Sequence, residues 1–367
     1  FFFWRLRHIL NNSHIFEKTA MTEVYKKPFP LISVVLTARN EEGMIHRCLQ
    51  SIFEQNYDNF ELIYVDARST DETFNIANAF SQKTSSFPNC KRYVSVSEHA
   101  ESPAKGRNIG TRLARGEIIA FTDADCIVEK DWLNKIMSYD IHTIGAVGGS
   151  NTIKHATNSK TTIAIDEVLG TRLGSGGAPQ FLKIKEAREV YAIPACNMVL
   201  RKEIFDNLNG FDERLRYNED TDLCYRIRKS GLKIIYAPDA SVNHFIGLDS
   251  VKDFFNFIFR YGFERGKNLI ENPQLITRFH IASIISFVAF FSILFSSIFN
   301  ENLILYFPIL AGGGSLVLII NSLMIAINRR SASVFCLAFL IFTIEYIAYN
   351  YALLKGMING LIKNKVL

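Results

Sequence analysis

The sequence predicts an α/β protein built on a mostly parallel sheet and followed by an apolar helical region. Three observations predict it. Short apolar runs that read as buried strands alternate with helical patterns from Leu31 onward, the mark of βαβ units. One of those runs, Ile118 to Phe121 in the stretch IIAFTDADCIV, stops at two carboxylates, Asp123 and Asp125, set around one alanine. The composition then changes after about residue 250, where Ile281 to Phe299 and the runs 302–328, 331–344 and 346–354 carry no charge.

The chain of 367 residues suffices for one large domain or two. Its net charge of +5 comes from dispersed basic residues that leave no nucleic-acid footprint, and a slight basic excess suits anionic lipid headgroups. Cys48, Cys90, Cys126, Cys196, Cys224 and Cys336 show neither C-x-x-C spacing nor a disulfide framework, so free thiols and a reducing compartment are expected. Residues 1–30 read as an N-terminal extension. Phe1 to Leu10 is apolar but short and is interrupted by Arg5 and Arg7, and removal of residues 1–20 is expected to be tolerated.

The elements follow in order. Leu31 to Thr37 (LISVVLT) is the first buried strand. Asn40 can cap a helix from Glu41 to about Phe53, with Ile45, Cys48, Leu49 and Ile52 on one face. Phe60 to Val65 is the second strand and ends at Asp66. Ser69 to Glu72 reads as a capping box for the next helix. Lys91 to Ser97 is a third, more exposed strand. Pro103 opens a helix carrying Lys105, Arg107 and Asn108, and the strand before Asp123 comes next. In a parallel sheet the strand ends at Thr37, Asp66 and Asp123 line one edge, where open α/β sheets bind their ligands.

Gly145 to Ile153 is strand-like. Gly170 to Gln180 holds four glycines in eleven residues and reads as a linker or a mobile lid. After Ile193 to Leu200 and a short helix from Lys202, the stretch Tyr217 to Asp222 (YNEDTD) leads into a helix over Leu223 to Ser230, closed by Gly231. Acids favour a helix start. A cap needs one acid, and here there are three.

Two acids one residue apart can share Mg²⁺ or Mn²⁺ and bridge it to substrate phosphates. Taken alone, Asp123 and Asp125 can equally be a solvated turn. The motifs taken together resemble the family 2 glycosyltransferases with the GT-A fold: SVVLTARNEE at Ser33 to Glu42, VDARSTDET at Val65 to Thr73, AKGRNIG at Ala104 to Gly110, FTDAD at Phe121 to Asp125 and GFDERLRYNEDTDLCYRIRKSG at Gly210 to Gly231. The narrower likeness, carried by Gly174 to Gly231, is to membrane-attached enzymes similar to the succinoglycan-type glucosyltransferases.

The resemblance implies a catalytic domain over residues 31–250 and a role for each matching residue. Asp123 and Asp125 match the D-x-D that holds a divalent metal, Mn²⁺ or Mg²⁺, and the donor's ribose and diphosphate. Asp66, Arg39 and Glu41 match positions at the nucleotide, and Lys105 and Arg107 match the basic segment near the diphosphate. Glu219-Asp220 matches an acid pair whose aspartate is the catalytic base, with Glu219 on the acceptor side. His244 is a further metal-ligand candidate, although a lone His is more often structural. Ala67 stands where many relatives carry Asp or Gly, which leaves base selectivity open; UDP is the nucleotide that the resemblance implies. Inverting transfer needs a base for the acceptor hydroxyl and positive charge on the leaving diphosphate.

Residues 251–280 mix Phe254, Phe255, Phe257, Phe259 and Tyr261 with Lys252, Arg260 and Arg265, as an interfacial amphipathic helix does. Residues 281–367 hold about three candidate spans at ~20 apolar residues each. Together these imply a multi-pass cell-membrane protein with a cytoplasmic catalytic domain, placed by Arg278, Arg329 and Arg330. Three full spans leave Lys355, Lys363 and Lys365 outside, so a re-entrant third segment is an alternative. The expected partners are a nucleotide sugar, a lipid-linked saccharide or polysaccharide acceptor and membrane lipids, with no nucleic acid. A processive synthase is the competing reading, but only Arg260 fits its interfacial Q-x-x-R-W, with Phe257 and Tyr261 at the other positions. A silent scaffold with the same fold is the third, and the acids at 66, 123, 125 and 220 argue against it.

Overall fold

The computed structural model describes residues 29–182, 184–215, 217–299 and 307–366. The expected extension over residues 1–30 therefore lies outside the described residues except for its last two. The chain divides into two compact units. The first comprises Phe1–Lys154 and Pro179–Phe245; the second comprises His155–Ala178 and Ile246–Leu367. The glycine-rich stretch Gly170 to Gln180 thus contains the passage from the second unit back to the first.

The first unit is a nine-stranded sheet. Four strands, β1 (Ile32–Ala38), β2 (Phe60–Asp66), β3 (Cys90–Ser97) and β4 (Ile118–Asp123), lie in the order β3-β2-β1-β4 and are all parallel. Strands β1, β2 and β4 are near-continuous apolar runs because helices cover both of their faces. Val34 and Leu36 point into one core, with Ile45, Leu49 and Ile52 of helix α1 (Ile45–Phe53). Val35, Ile119 and Phe121 point into the other, where Phe121 meets the rings of Phe205 and Phe211 at 5.4 and 5.1 Å. Between α1 and β3 lies α2 (Thr73–Ala79). Helix α3 (Pro103–Leu113) starts at a Ser102 cap with proline next, and it lies so close to β1 that a Cβ on Gly110 would meet Val35 Cγ1 at 2.4 Å.

Parallel pairing ends at β4. After the short helix α4 (Trp132–Met137) come β6 (Ala146–Ile153), β8 (Met198–Arg201) and β9 (Ile234–His244), which extend the sheet as β4-β8-β6-β9. Strands β5 (Cys126–Val128) and β7 (Arg188–Glu189) both pair antiparallel to β9, and β8 runs antiparallel to β4 and β6. The expected mostly parallel sheet is therefore mixed in this half. Here β6 and β9 pair parallel, with helices on the chain between them, while β8 runs antiparallel to β4 and β6. A register shift between Gly149 and Asn151 bends the β6–β9 pair, and the far end of β9 reaches β5, where Cys126 pairs with His244.

Two helix starts differ from expectation. Helix α1 begins at Ile45 and not Glu41, because Asn40, at φ 57°, turns its Oδ1 to Thr70 N at 2.8 Å. The Ser69–Glu72 capping box does not form. Ser69 Oγ accepts from Asn40 N at 2.9 Å, and Thr73 Oγ1 accepts from Glu41 N at 2.7 Å. These short polar residues stitch the loops after β1 and β2 together in place of capping their own helices. After α6 (Lys202–Asn207), helix α7 (Glu219–Lys229) starts four residues earlier than expected, so Glu219, Asp220 and Asp222 form its first turn.

The second unit is helical: α5 (Lys160–Leu169), α8 (Val251–Glu271), α9 (Arg278–Ser296), α10 (Phe307–Arg329) and α11 (Ala332–Val366). Helices α8 and α11 pack along each other at small residues. A Cβ on Gly266 would meet Leu353 O at 2.1 Å, and one on Gly356 would meet Phe263 O at 2.0 Å. Among the described residues one helix, over Ala332–Ile362, is long and apolar enough to cross a membrane; His280–Ser296 and Gly314–Arg329 are shorter apolar helices. The re-entrant alternative is not realised, since α11 runs unbroken through Glu345 and Lys355. The side chains of Arg278, Lys363 and Lys365, which entered the orientation argument, lie outside the described residues.

Candidate active site

Register alone assembles the first part of the site. Ala38 pairs with Asp66 and Thr37 with Asp123, so the ends of β1, β2 and β4 stand side by side at the carboxyl edge of the sheet. Asp66 lies just beneath that edge and is 1 % exposed. Its carboxylate accepts from Tyr64 Oη at 3.2 Å, Ser69 N at 2.9 Å and Ser97 Oγ at 3.0 Å. Above it opens a cavity of about 330 Å³ lined by Arg39, Ala67, Arg68, His99, Ala100 and Glu101. Arg39 is where the sequence reading expects a nucleotide contact. Asp66 is not among the lining residues and acts on the loop that forms the wall. Arg68 follows the Ala67 departure noted in the sequence, whereas His99 and Glu101 escaped that reading, although the carboxyl-edge rule applied to β3 points to both.

The second part is the D-x-D corner. Arg107, buried on α3, donates from Nη2 to Asp123 Oδ1 at 2.6 Å and from Nη1 to Glu219 Oε1 at 2.7 Å. Its guanidinium is a strut between two carboxylates and lies over the Phe211 ring at 5.6 Å. Lys105, two residues earlier, sits in the first turn of α3, where its backbone N–H meets the Ser102 cap at 3.3 Å. Asp125 Oδ2 lies 3.1 Å from His244 Nε2. Burial pushes the Asp125 carboxyl up, but the bond and charge of His244 outweigh it and hold the group below the usual carboxylate range. Glu41 is lifted to about 7, by burial first and then by the charges of Asp125 and Asp123. It therefore stands in the field of the corner.

The third part is the start of α7. Burial lifts Glu219 to about 7, with Arg107 pulling it down and Asp220 pushing it up. Asp220 is partly exposed and accepts from Thr221 N at 2.6 Å; burial raises its carboxyl despite that bond and the charge of Arg107. Asp222 is tied to Arg226 Nε at 2.8 Å, as suits a helix-start acid. Asn197, also missed in the sequence, is fully buried. It accepts from Trp132 Nε1 at 2.8 Å and donates to Ala240 O at 2.8 Å, which fixes the turn before β8 onto β9.

Asp123 and Asp125 keep 27 % and 26 % of their side chains exposed, so hard carboxylate donors remain within reach of a cation bridged to phosphate. With an imidazole at Asp125 and a third acid, Glu41, in the same field, this donor set fits Mn²⁺ or Mg²⁺.

A sheet of this kind, with a D-x-D at its carboxyl edge and an acid-bearing helix start linked to it, is the arrangement of a GT-A glycosyltransferase. Residues 33–208 match the model of the family Glycosyl transferase family 2. The dolichyl N-acetyl-alpha-D-glucosaminyl phosphate 3-beta-D-2,3-diacetamido-2,3-dideoxy-beta-D-glucuronosyltransferase of Methanococcus voltae is 26 % identical over 341 residues, 90 % of this chain and 98 % of that protein. The probable glycosyltransferase YdaM of Bacillus subtilis is 28 % identical over 221 residues, 58 % of this chain; the match spans half of YdaM's length. Among solved structures, the mannosyltransferase PcManGT of Pyrobaculum calidifontis, in complex with GDP-Man and Mn²⁺, superposes with a TM-score of 0.62 at 17 % identity, covering 98 % of this chain and 93 % of that one. That likeness is one of fold.

Proposed function

We propose that the protein is an inverting, metal-dependent glycosyltransferase that moves a sugar from a nucleotide sugar, UDP-linked, to a hydroxyl of a lipid-linked saccharide or polysaccharide at a membrane. One observation carries this reading. Arg107 bonds Asp123 and Glu219 at once, so the acids suited to a donor metal and the acid pair of α7 belong to one site.

Asp123 and Asp125 would hold the cation, with His244 beside them on Asp125. A bound Mn²⁺ or Mg²⁺ supplies Lewis-acid stabilisation of the departing diphosphate. Arg39 and Glu41 lie by the nucleotide, with Asp66 holding the loop beneath it, and Lys105 lies towards the diphosphate. Asp220 takes the proton of the acceptor hydroxyl as that oxygen attacks the anomeric carbon. The α7 N-terminus favours its ionised form, while Glu219, held by Arg107, faces the acceptor side. The membrane acceptor is supported by the apolar helix over Ala332–Ile362 and by the Methanococcus relative, whose name gives it a dolichyl-phosphate-linked substrate. On this reading the second unit seats the enzyme in the cell membrane with its catalytic unit on the cytoplasmic side.

The test is a transfer assay in detergent with a panel of UDP-, GDP- and dTDP-sugars, Mn²⁺ or Mg²⁺, and polyprenyl-phosphate-linked saccharides. Metal-dependent turnover of one donor class is expected. No release of nucleotide from any donor, with the fold intact by circular dichroism, overturns the reading.

A further inference from the structure

Behind the D-x-D corner His244 meets two cysteines that glycosyl transfer does not use. Cys126 opens β5 directly after Asp125, Cys196 sits in the one-turn 3-10 segment before β8, and His244 ends β9. One ligand atom from each, two sulphurs and a ring nitrogen, lies within 4.8 Å of the other two. No other three His, Cys, Asp or Glu among the described residues meet so closely. The backbone fixes this meeting. Register pairs Cys126 with His244, and Asn197 pins the Cys196 turn to β9.

The chemistry is that of a soft metal site. Cys196 Sγ lies 3.8 Å from His244 Nδ1. Zinc bound tetrahedrally, at ~2.3 Å from sulphur and ~2.0 Å from nitrogen, spaces such a pair by roughly 3.5 Å. Both thiols are buried, at 0 % and 3 % exposure. Asn151 Nδ2 nevertheless donates to Cys196 Sγ at 2.9 Å, while its own buried Oδ1 has no partner. A thiol acting only as a small apolar filler has no use for such a donor. A thiolate does, and outer donors of this kind tune metal–sulphur ligands.

We propose that Cys126, Cys196 and His244 bind a thiophilic divalent cation, Zn²⁺, at a site distinct from the donor metal. Binding releases two thiol protons to solvent and leaves two thiolates around a dication. That unit is neutral overall and so avoids the burial of net charge. Sulphur and imidazole ligands discriminate against Mg²⁺ and Mn²⁺, which favour oxygen. With zinc on Nδ1, the Nε2 of His244 keeps its proton for Asp125. The imidazole then meets the donor cation through Asp125 and holds that carboxylate in place. Filled, the site braces the corner from behind.

The experiment strips the full chain of metal under reducing conditions in detergent and titrates it with Co²⁺. One equivalent should raise a thiolate-to-cobalt charge-transfer band, which Zn²⁺ abolishes and excess Mg²⁺ leaves. Cys126→Ser and Cys196→Ser should each lose the band, while Asp123→Asn keeps it. No band in the unaltered chain, or a band that both serine variants retain, overturns the proposal. Should the serine variants fail to fold, zinc X-ray absorption on the unaltered chain decides. Two sulphur neighbours at ~2.3 Å support the site, and a shell of nitrogen and oxygen alone overturns it. Neither readout involves the donor, so their failure is distinct from failure of the transfer assay.

Discussion

The two halves of the sheet build their shares of the site by different means. In the parallel half, β3-β2-β1-β4, Asp66 and Asp123 are strand ends, and register sets them beside β1. In the mixed half, His244 arrives from a bent eleven-residue strand, Cys196 from a 3-10 turn, and Glu219 from a helix start held across by Arg107. The parallel half is thus a scaffold whose edge has a fixed chemistry. The mixed half is an assembly whose geometry depends on long-range contacts, and those contacts can be cut one at a time.

The largest effect should come where the halves meet. Asp125 lies between β4 of the parallel half and β5 of the mixed half, and it carries His244. Asp125→Ala removes a cation ligand and that partner together. Turnover should fall to background and nucleoside diphosphate binding should weaken, with the fold retained by circular dichroism. Full turnover in excess EDTA would show that the corner does not work through a metal.

Next is the base in the mixed half. Asp220→Asn preserves size and most hydrogen bonding but cannot accept a proton. General-base catalysis is worth ~10²–10⁴-fold, and transfer should drop by about that factor. Donor affinity, set in the parallel half, should hardly change. A loss of donor binding with turnover spared would make Asp220 a nucleotide contact and send the search for the base to Glu219 and Asp222.

Cutting the strut tests the link itself. Arg107→Met leaves Glu219 buried and Asp123 half-buried without their counter-charge. Removing one partner of a buried ion pair costs about 3–5 kcal/mol. The unfolding free energy from denaturant titration should fall by that amount, and activity should fall with it. A variant as stable as the parent would mean that the halves are held together elsewhere.

The same contrast explains what the sequence made legible. Asp66, Asp123 and Asp125 could be read because a parallel strand announces itself as an apolar run and its end is visible. Arg107 was visible as a residue but not as a strut, since nothing local says that Glu219, far along the chain, will come to it. Asn197 and the meeting of Cys126, Cys196 and His244 were hidden for the same reason: a three-residue strand and a 3-10 turn have no period to read, and nothing local says that the end of β9 comes to them. The starts of α1 and α2 misled because Asn40 and Ser69 are good caps in isolation, and here they bond to each other's loops.

The smallest effect belongs to Glu41, which lies on the parallel side yet feels both acids of the corner. Its carboxyl sits at about 7, against an ordinary 4.5. Between those values the native protein holds a proton that the unfolded chain has lost. The stability this contributes is complete below pH 4.5 and disappears as the pH rises through 7. Glu41→Gln is neutral throughout, so the variant should be spared this share of the decline, on the order of 1 kcal/mol after allowance for solvent screening. Thermal melts of both proteins in EDTA from pH 4.5 to 8 should diverge towards the upper end, with the variant the more stable. Saturating Mn²⁺ should close the gap, because a cation at the corner favours the ionised Glu41 that only the parent has. Curves that run parallel in EDTA would remove Glu41 from the field of Asp123 and Asp125.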